Sequence, residues 1–186
     1  MPQDLVLLYG RPGVGKFTIG RALAEATTYR LVHNHAIVDL ATTLFPFGSA
    51  PFVTLREQLW LHVVGAGLSA GLPGIIVTFV PERTVTEEFL PALQACVAQR
   101  GARFRSIELR CSPGTLATRL TAPDRAAFGK IRDLAFYQEL EQAGAFDRPR
   151  MPPPELTLAV DELSPADAAR RIARELGGAA SEEHLR

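Results

Sequence analysis

Short apolar runs alternate along this chain with stretches of helical period. The runs are Leu5–Tyr9, Arg30–His33, Ile75–Val80, Phe104–Cys111 and Leu156–Val160. Their nearly unbroken hydrophobicity predicts five strands buried on both faces, and so an α/β fold in which helices cover both sides of a parallel sheet. A helix is predicted from Lys16 to Thr27, with Ile19, Leu23 and Ala26 on one face. The next crossover holds two helical stretches, Ala36–Leu44 and Val53–Leu68. One βαβ unit needs only one helix, so residues 36–72 read as an insertion beside the site. The stretch around Cys96 also reads as helix. Ser112-Pro113 opens a helix through Leu120, as an N-cap followed by proline in the first turn. The period dissolves between Thr121 and Lys130, then returns over Asp133–Ala143. Pro152, Pro153 and Pro154 lead stiffly into the last strand, and Ser164-Pro165 starts a final helix that Gly177-Gly178 stops after Leu176. One domain over residues 1–176 and a flexible tail over 177–186 are expected.

The length of 186 residues suits one such domain. Twenty Lys plus Arg balance twenty Asp plus Glu, which argues against a long polynucleotide as partner. Lysine occurs only at positions 16 and 130, so arginine carries the remaining basic charge. Cys96 and Cys111 read as buried free thiols. Val63–Val80 runs 18 residues without a charge, but Gly71-Leu72-Pro73-Gly74 divides it into a helix end and a strand. No membrane span and no secretory leader are read, and a cytoplasmic location is expected.

The strongest chemical signal is Gly10-Arg11-Pro12-Gly13-Val14-Gly15-Lys16, placed after a strand and at the start of a helix. Glycines there let successive backbone N–H groups turn inward, the helix dipole adds positive potential, and Lys16 can reach a nucleotide's outer phosphates. A turn that merely joined strand to helix would not need that lysine.

On these residues the chain resembles the P-loop NTPases, and within them the small kinases of the adenylate kinase and shikimate kinase type. Phe17 stands where a Ser or Thr usually follows the lysine, and Thr18 comes next; adenylate kinases similarly carry a non-hydroxyl residue and then threonine. The resemblance implies a three-layer sandwich with strand order 2-3-1-4-5, ATP as phosphoryl donor with Mg2+, and a lid over about residues 119–132. It implies that Gly10 to Thr18 bind the nucleotide, with Thr18 rather than Phe17 supplying a hydroxyl to phosphate. It assigns the charge-neutralising lid role to Arg119 and Arg125, with Lys130 in the same loop.

In such a sheet the acceptor belongs at the carboxyl ends of strands two and three. After strand two comes His33-Asn34-His35, then Asp39. Related kinases use an aspartate at that point to take the acceptor's proton. Here His35 fills the place, and Asp39 lies one helical turn on. An imidazole titrating near ~6.5 suits a base, with Asp39 as its orienting partner, as the base itself, or as a holder of hydrated magnesium. A zinc site from His33, His35 and Asp39 would have to combine strand and helix spacings and has no further ligand nearby. No aspartate follows strand three, which leaves Glu82 or Thr78 as stand-ins near magnesium. Arg56 and Arg83 are candidate acceptor-binding residues, and Arg56 would favour a carboxylate or phosphate. Phe45, Phe47, Phe52 and Trp60 add aromatic weight to this region. The reading is an ATP-dependent kinase acting on a hydroxyl of a small acceptor, an anionic one if Arg56 binds it. The alternatives are a nucleoside monophosphate kinase, gripping an acceptor phosphate through Arg56 and Arg83, a nucleoside or RNA-end kinase, and a nucleotide-binding switch without transfer.

Overall fold

The computed structural model of the chain describes residues 2–121, 133–147 and 149–178. Five parallel strands form one sheet: β1 Asp4–Tyr9, β2 Arg30–Val32, β3 Gly74–Phe79, β4 Arg103–Arg110 and β5 Leu156–Ala159. Their spatial order is β2-β3-β1-β4-β5, as the resemblance implied. Helices α1 Lys16–Ala26 and α2 Asn34–Thr42 come first, followed by α3 Ala50–Ser69 and α4 Phe89–Ala98. Then come α5 Pro113–Leu120, α6 Leu134–Gln142 and α7 Pro165–Gly178.

The alternation of side chains along β1 divides the core. Leu5, Leu7 and Tyr9 face the α3 and α4 side, where Trp60, Val64, Leu68, Phe89 and Leu93 pack against them. Val6 and Leu8 face α1 and α7, against Ile19, Leu23, Ala168 and Ile172. Each large side chain so buried contributes roughly 1.5–3 kcal/mol, which explains why the apolar runs predict the strands well. Ala26, expected on the buried face of α1, is exposed at the last turn. The described helix α7 continues through Gly178, two residues beyond the stop expected from its glycine pair. Cys96 and Cys111 are free but only half-buried, a correction to the expectation of burial. No described helix is long and apolar enough to cross a membrane.

The amino edge of the sheet carries a feature that the apolar runs did not indicate. Asp4 aligns with Gly74 of β3 on one side and Arg103 of β4 on the other. Its carboxylate, wholly buried, accepts from Arg103 Nε at 2.7 Å and Nη2 at 3.0 Å, and from the Tyr29 hydroxyl. Gly74 makes this possible, because a Cβ there would fall 2.5 Å from the Tyr29 ring. Burial, then the bond to Asp4, push the Tyr29 phenol up to about 12. Nearby, Arg105 pairs with Glu155 and donates to the Glu175 and Leu176 carbonyls, which fastens the carboxyl end of α7 to β4.

Candidate active site

The opposite edge is built around the loop that joins β1 to α1. Gly10, Gly13 and Gly15 all have positive φ, at 150°, 91° and 106°. At Gly10 the backbone also passes so close to β4 that a Cβ would lie 2.4 Å from the Leu109 carbonyl oxygen. The Lys16 ammonium donates to the Gly10 and Arg11 carbonyls, each at 2.8 Å, and so braces the curl from inside.

A cavity of about 1190 Å³ opens over this loop, lined by Pro12, Gly13, Gly15, Lys16, Phe17 and Thr18 on the donor side. Arg119 reaches it from α5. One of its nitrogens donates to the Val14 carbonyl at 2.9 Å and the other to the Val160 carbonyl at 2.8 Å, joining the loop to the end of β5. Gly10, Arg11 and Val14 do not line the cavity. Val14 is a core residue, 1% exposed. The Arg11 side chain turns away, donating to Asp147 at 3.2 Å and lying over the Phe146 ring at 5.5 Å. Arg125 and Lys130 lie outside the described residues, as does most of the expected lid.

The acceptor candidates line the same cavity. His33 caps α2: its Nδ1 accepts from the His35 backbone N–H at 3.1 Å, so α2 starts at Asn34, two residues before the periodicity indicated. The Asn34 N–H donates to the Thr78 hydroxyl at 3.0 Å, tying that turn to β3. Phe17 has a role that its position in the motif did not suggest. Its ring packs on His33 at 4.3 Å between centroids, and His33 meets His35 edge-on at 5.0 Å. A row of three rings thus runs from the phosphate loop to His35. The His35 Nδ1 lies 3.9 Å from an Asp39 carboxylate oxygen, close enough for electrostatic attraction but too long for a hydrogen bond. His35 is half-buried and Asp39 exposed, and both line the cavity.

Arg56 takes a different place from the one its residue type suggested. It is 4% exposed, donating to Glu82 at 2.7 Å, to the Thr84 hydroxyl at 2.9 Å and to the Thr84 carbonyl at 2.9 Å. The Phe52 ring lies beneath its guanidinium at 5.2 Å. Arg56 therefore holds the segment after β3 in place. Glu82, a candidate near magnesium, spends its oxygens on Arg56 and Thr84. Glu57, which likewise pairs with Arg56, accepts from the Thr86 backbone and hydroxyl. Arg83 is exposed and lines the cavity, and its backbone N–H donates to the Ala145 carbonyl at 2.8 Å. Across the cavity Asp161 accepts from the Ser112 backbone N–H at 2.8 Å. Its bonds from Ser112 and Thr115 hold its carboxyl down to about 2, which makes it a turn-fastening group.

Among the described residues no three His, Cys, Asp or Glu gather as a metal cage. Magnesium needs no such cage, because it keeps several waters and takes few protein oxygens when phosphates supply the rest. The Thr18 hydroxyl and the Asp39 carboxylate are the oxygens suited to it here, both on exposed cavity-lining residues.

No family model matches the chain. The RuvB subunit of the Holliday junction branch migration complex of Staphylococcus saprophyticus is 34% identical over 155 residues. That match covers 75% of this chain but 40% of RuvB, so the chain spans less than half of that relative's length. Among solved structures, a gluconokinase from Sinorhizobium meliloti superposes with a TM-score of 0.63 at 19% identity, over 99% of this chain and 97% of that one. The Mycobacterium tuberculosis APS kinase, solved with AMPPNP and APS, gives 0.61 at 15% identity over 94% and 98%. A shikimate kinase from Acinetobacter baumannii, bound to shikimate, gives 0.56 at 19% over 96% and 94%. The strand order, the phosphate loop and these likenesses together give the chain the P-loop NTPase fold, in the arrangement shared with small-molecule kinases.

Proposed function

We propose that the protein is an ATP-dependent phosphotransferase that moves the γ-phosphoryl group of ATP to a hydroxyl of a small molecule. The observation that carries this is that Lys16 with its loop and the His35–Asp39 pair line one cavity. Phosphoryl transfer needs positioning and charge compensation more than covalent chemistry from the protein. The loop amides and Lys16 hold the phosphates, while Arg119 fixes the loop's frame against β5. His35 is the base that takes the acceptor's proton, and the Asp39 carboxylate near its Nδ1 favours the imidazolium so formed. As the hydroxyl oxygen bonds to the γ-phosphorus, the bond from that phosphorus to the bridging oxygen breaks, and ADP leaves with the electron pair. Magnesium, when bound, spreads the charge of the phosphate oxygens. Arg125 and Lys130 retain their proposed lid roles on the resemblance alone.

A nucleoside monophosphate kinase is less well supported, because Arg56 is committed to Glu82 and Thr84 and so is not disposed to grip an acceptor phosphate. A switch module would have no need of the His35–Asp39 pair. The test is transfer of label from γ-labelled ATP across a panel of small hydroxyl compounds. Lys16→Ala should lower transfer roughly 10²–10³-fold, by analogy with losing one preorganised charge-stabilising group. The proposal fails if no compound is labelled, or if K16A labels as fast as the native chain.

A further inference from the structure

Resting on that kinase reading, we propose that the acceptor is an uncharged alcohol with a flat, apolar ring system, and that the site discriminates against anions. The acceptor wall offers two arginines, and Arg56, though it touches the cavity, is already engaged by protein groups. It is nearly inaccessible, and its terminal nitrogens serve Glu82 and Thr84. Glu57 and Glu82 both pair with this single guanidinium, so the cluster is net negative, and Asp39 adds an exposed carboxylate on the same wall. A carboxylate or phosphate entering here would leave water for a wall on which, among the described residues, the exposed Arg83 opposes the carboxylates, while Lys16 and Arg119 belong to the phosphate-loop side of the cavity.

The apolar lining points the same way. Trp60, Phe79 and Phe89 form a buried aromatic floor. Phe47 and Phe136, from different elements, stand at the cavity with 59% and 50% of their surface exposed. Two large rings held in solvent at a cavity that already carries an aromatic floor form a recognition surface for a planar apolar body.

Trp60 is the chain's only tryptophan, so its fluorescence reports occupancy without requiring catalysis. The full chain, with ADP and magnesium, is titrated with two pairs of compounds, each setting a neutral alcohol against an anionic counterpart with the same ring. These are uridine against uridine monophosphate, and 1-phenyl-1,3-propanediol against 3-hydroxy-3-phenylpropionate. Neutral members should bind at least about 10-fold more tightly than their anionic partners. Phe47→Ser, an exposed change that leaves the fold intact, should weaken neutral binding about 5-fold. The inference is overturned if the anionic member binds equally or better, with its advantage removed by R83A, or if neither pair gives a saturable signal. Label transfer from ATP, measured on the same compounds, separates this from the parent reading. Transfer preferring an anion overturns the selectivity and leaves the kinase standing, whereas neutral binding without any transfer overturns the kinase and leaves the selectivity standing.

Discussion

The two edges of the sheet handle charge in opposite ways. At the amino edge, Asp4 is buried without any exposure, yet two nitrogens of Arg103, itself partly exposed, and the Tyr29 hydroxyl satisfy it, so the carboxylate is sealed into the packing. At the carboxyl edge, Lys16 is braced by backbone carbonyls that a phosphate can replace, and His35 and Asp39 stand apart at 3.9 Å beside a large cavity. The first arrangement serves stability because it is saturated. On the proposed reading the second serves chemistry, because its groups are oriented beside a cavity that admits a ligand.

The comparison breaks if damage at one edge produces the phenotype of the other. The largest effect is expected from His35→Ala, which should lower kcat for a hydroxyl acceptor by as much as ~10⁴-fold, while the thermal midpoint stays near that of the native chain. Steady-state kinetics beside a melting curve checks this, and a loss under tenfold would remove His35 from the reaction. Next comes Arg103→Met, which strands the buried Asp4 carboxylate and should cost roughly 3–5 kcal/mol in denaturant unfolding. Its kcat/KM, measured well below the melting transition, should stay within about twofold, since the change lies outside the reacting groups. A kinetic defect without loss of stability would mean that the two edges are coupled.

The smallest effect sharpens the picture of the sealed edge. The Tyr29 phenol is raised from 10.0 to about 12, so its protonated form is favoured in the folded chain. Its contribution to stability is then fully present below pH 10 and lost as pH rises through 12. A Tyr29→Phe variant should show a flatter decline in stability over that window. Subtracting its phenolate absorbance from that of the native chain should give a Tyr29 midpoint well above 10.

The pattern along the chain made the strands legible to within a residue or two, because burial on both faces leaves a local mark. It missed Asp4 and Arg103 as strand residues for a physical reason. Each is hidden by the other, and partners 99 positions apart leave no trace in a local window. The phosphate loop was legible because its glycines and lysine are contiguous. On the proposed acceptor wall, helical spacing put His35 and Asp39 one turn apart, as they stand in the structure, whereas the engagement of Arg56 by its neighbours left no local signal. Its residue type suggested an anion site, but its partners, Glu82 and Thr84, lie across a crossover. The Phe17–His33 contact was equally out of reach, since it joins the first turn of α1 to the cap of α2, past the ends of β1 and β2, which β3 separates in the sheet. The cap by His33 explains why α2 begins earlier than its apolar period.

The Arg105 clasp on the Glu175 and Leu176 carbonyls has a practical meaning. It pins the end of α7 at the edge of the sheet remote from the cavity, so a fusion partner or surface tether joined beyond that helix is directed away from the acceptor's approach. The protein can thus be immobilised by that end with its aromatic entrance still facing solution.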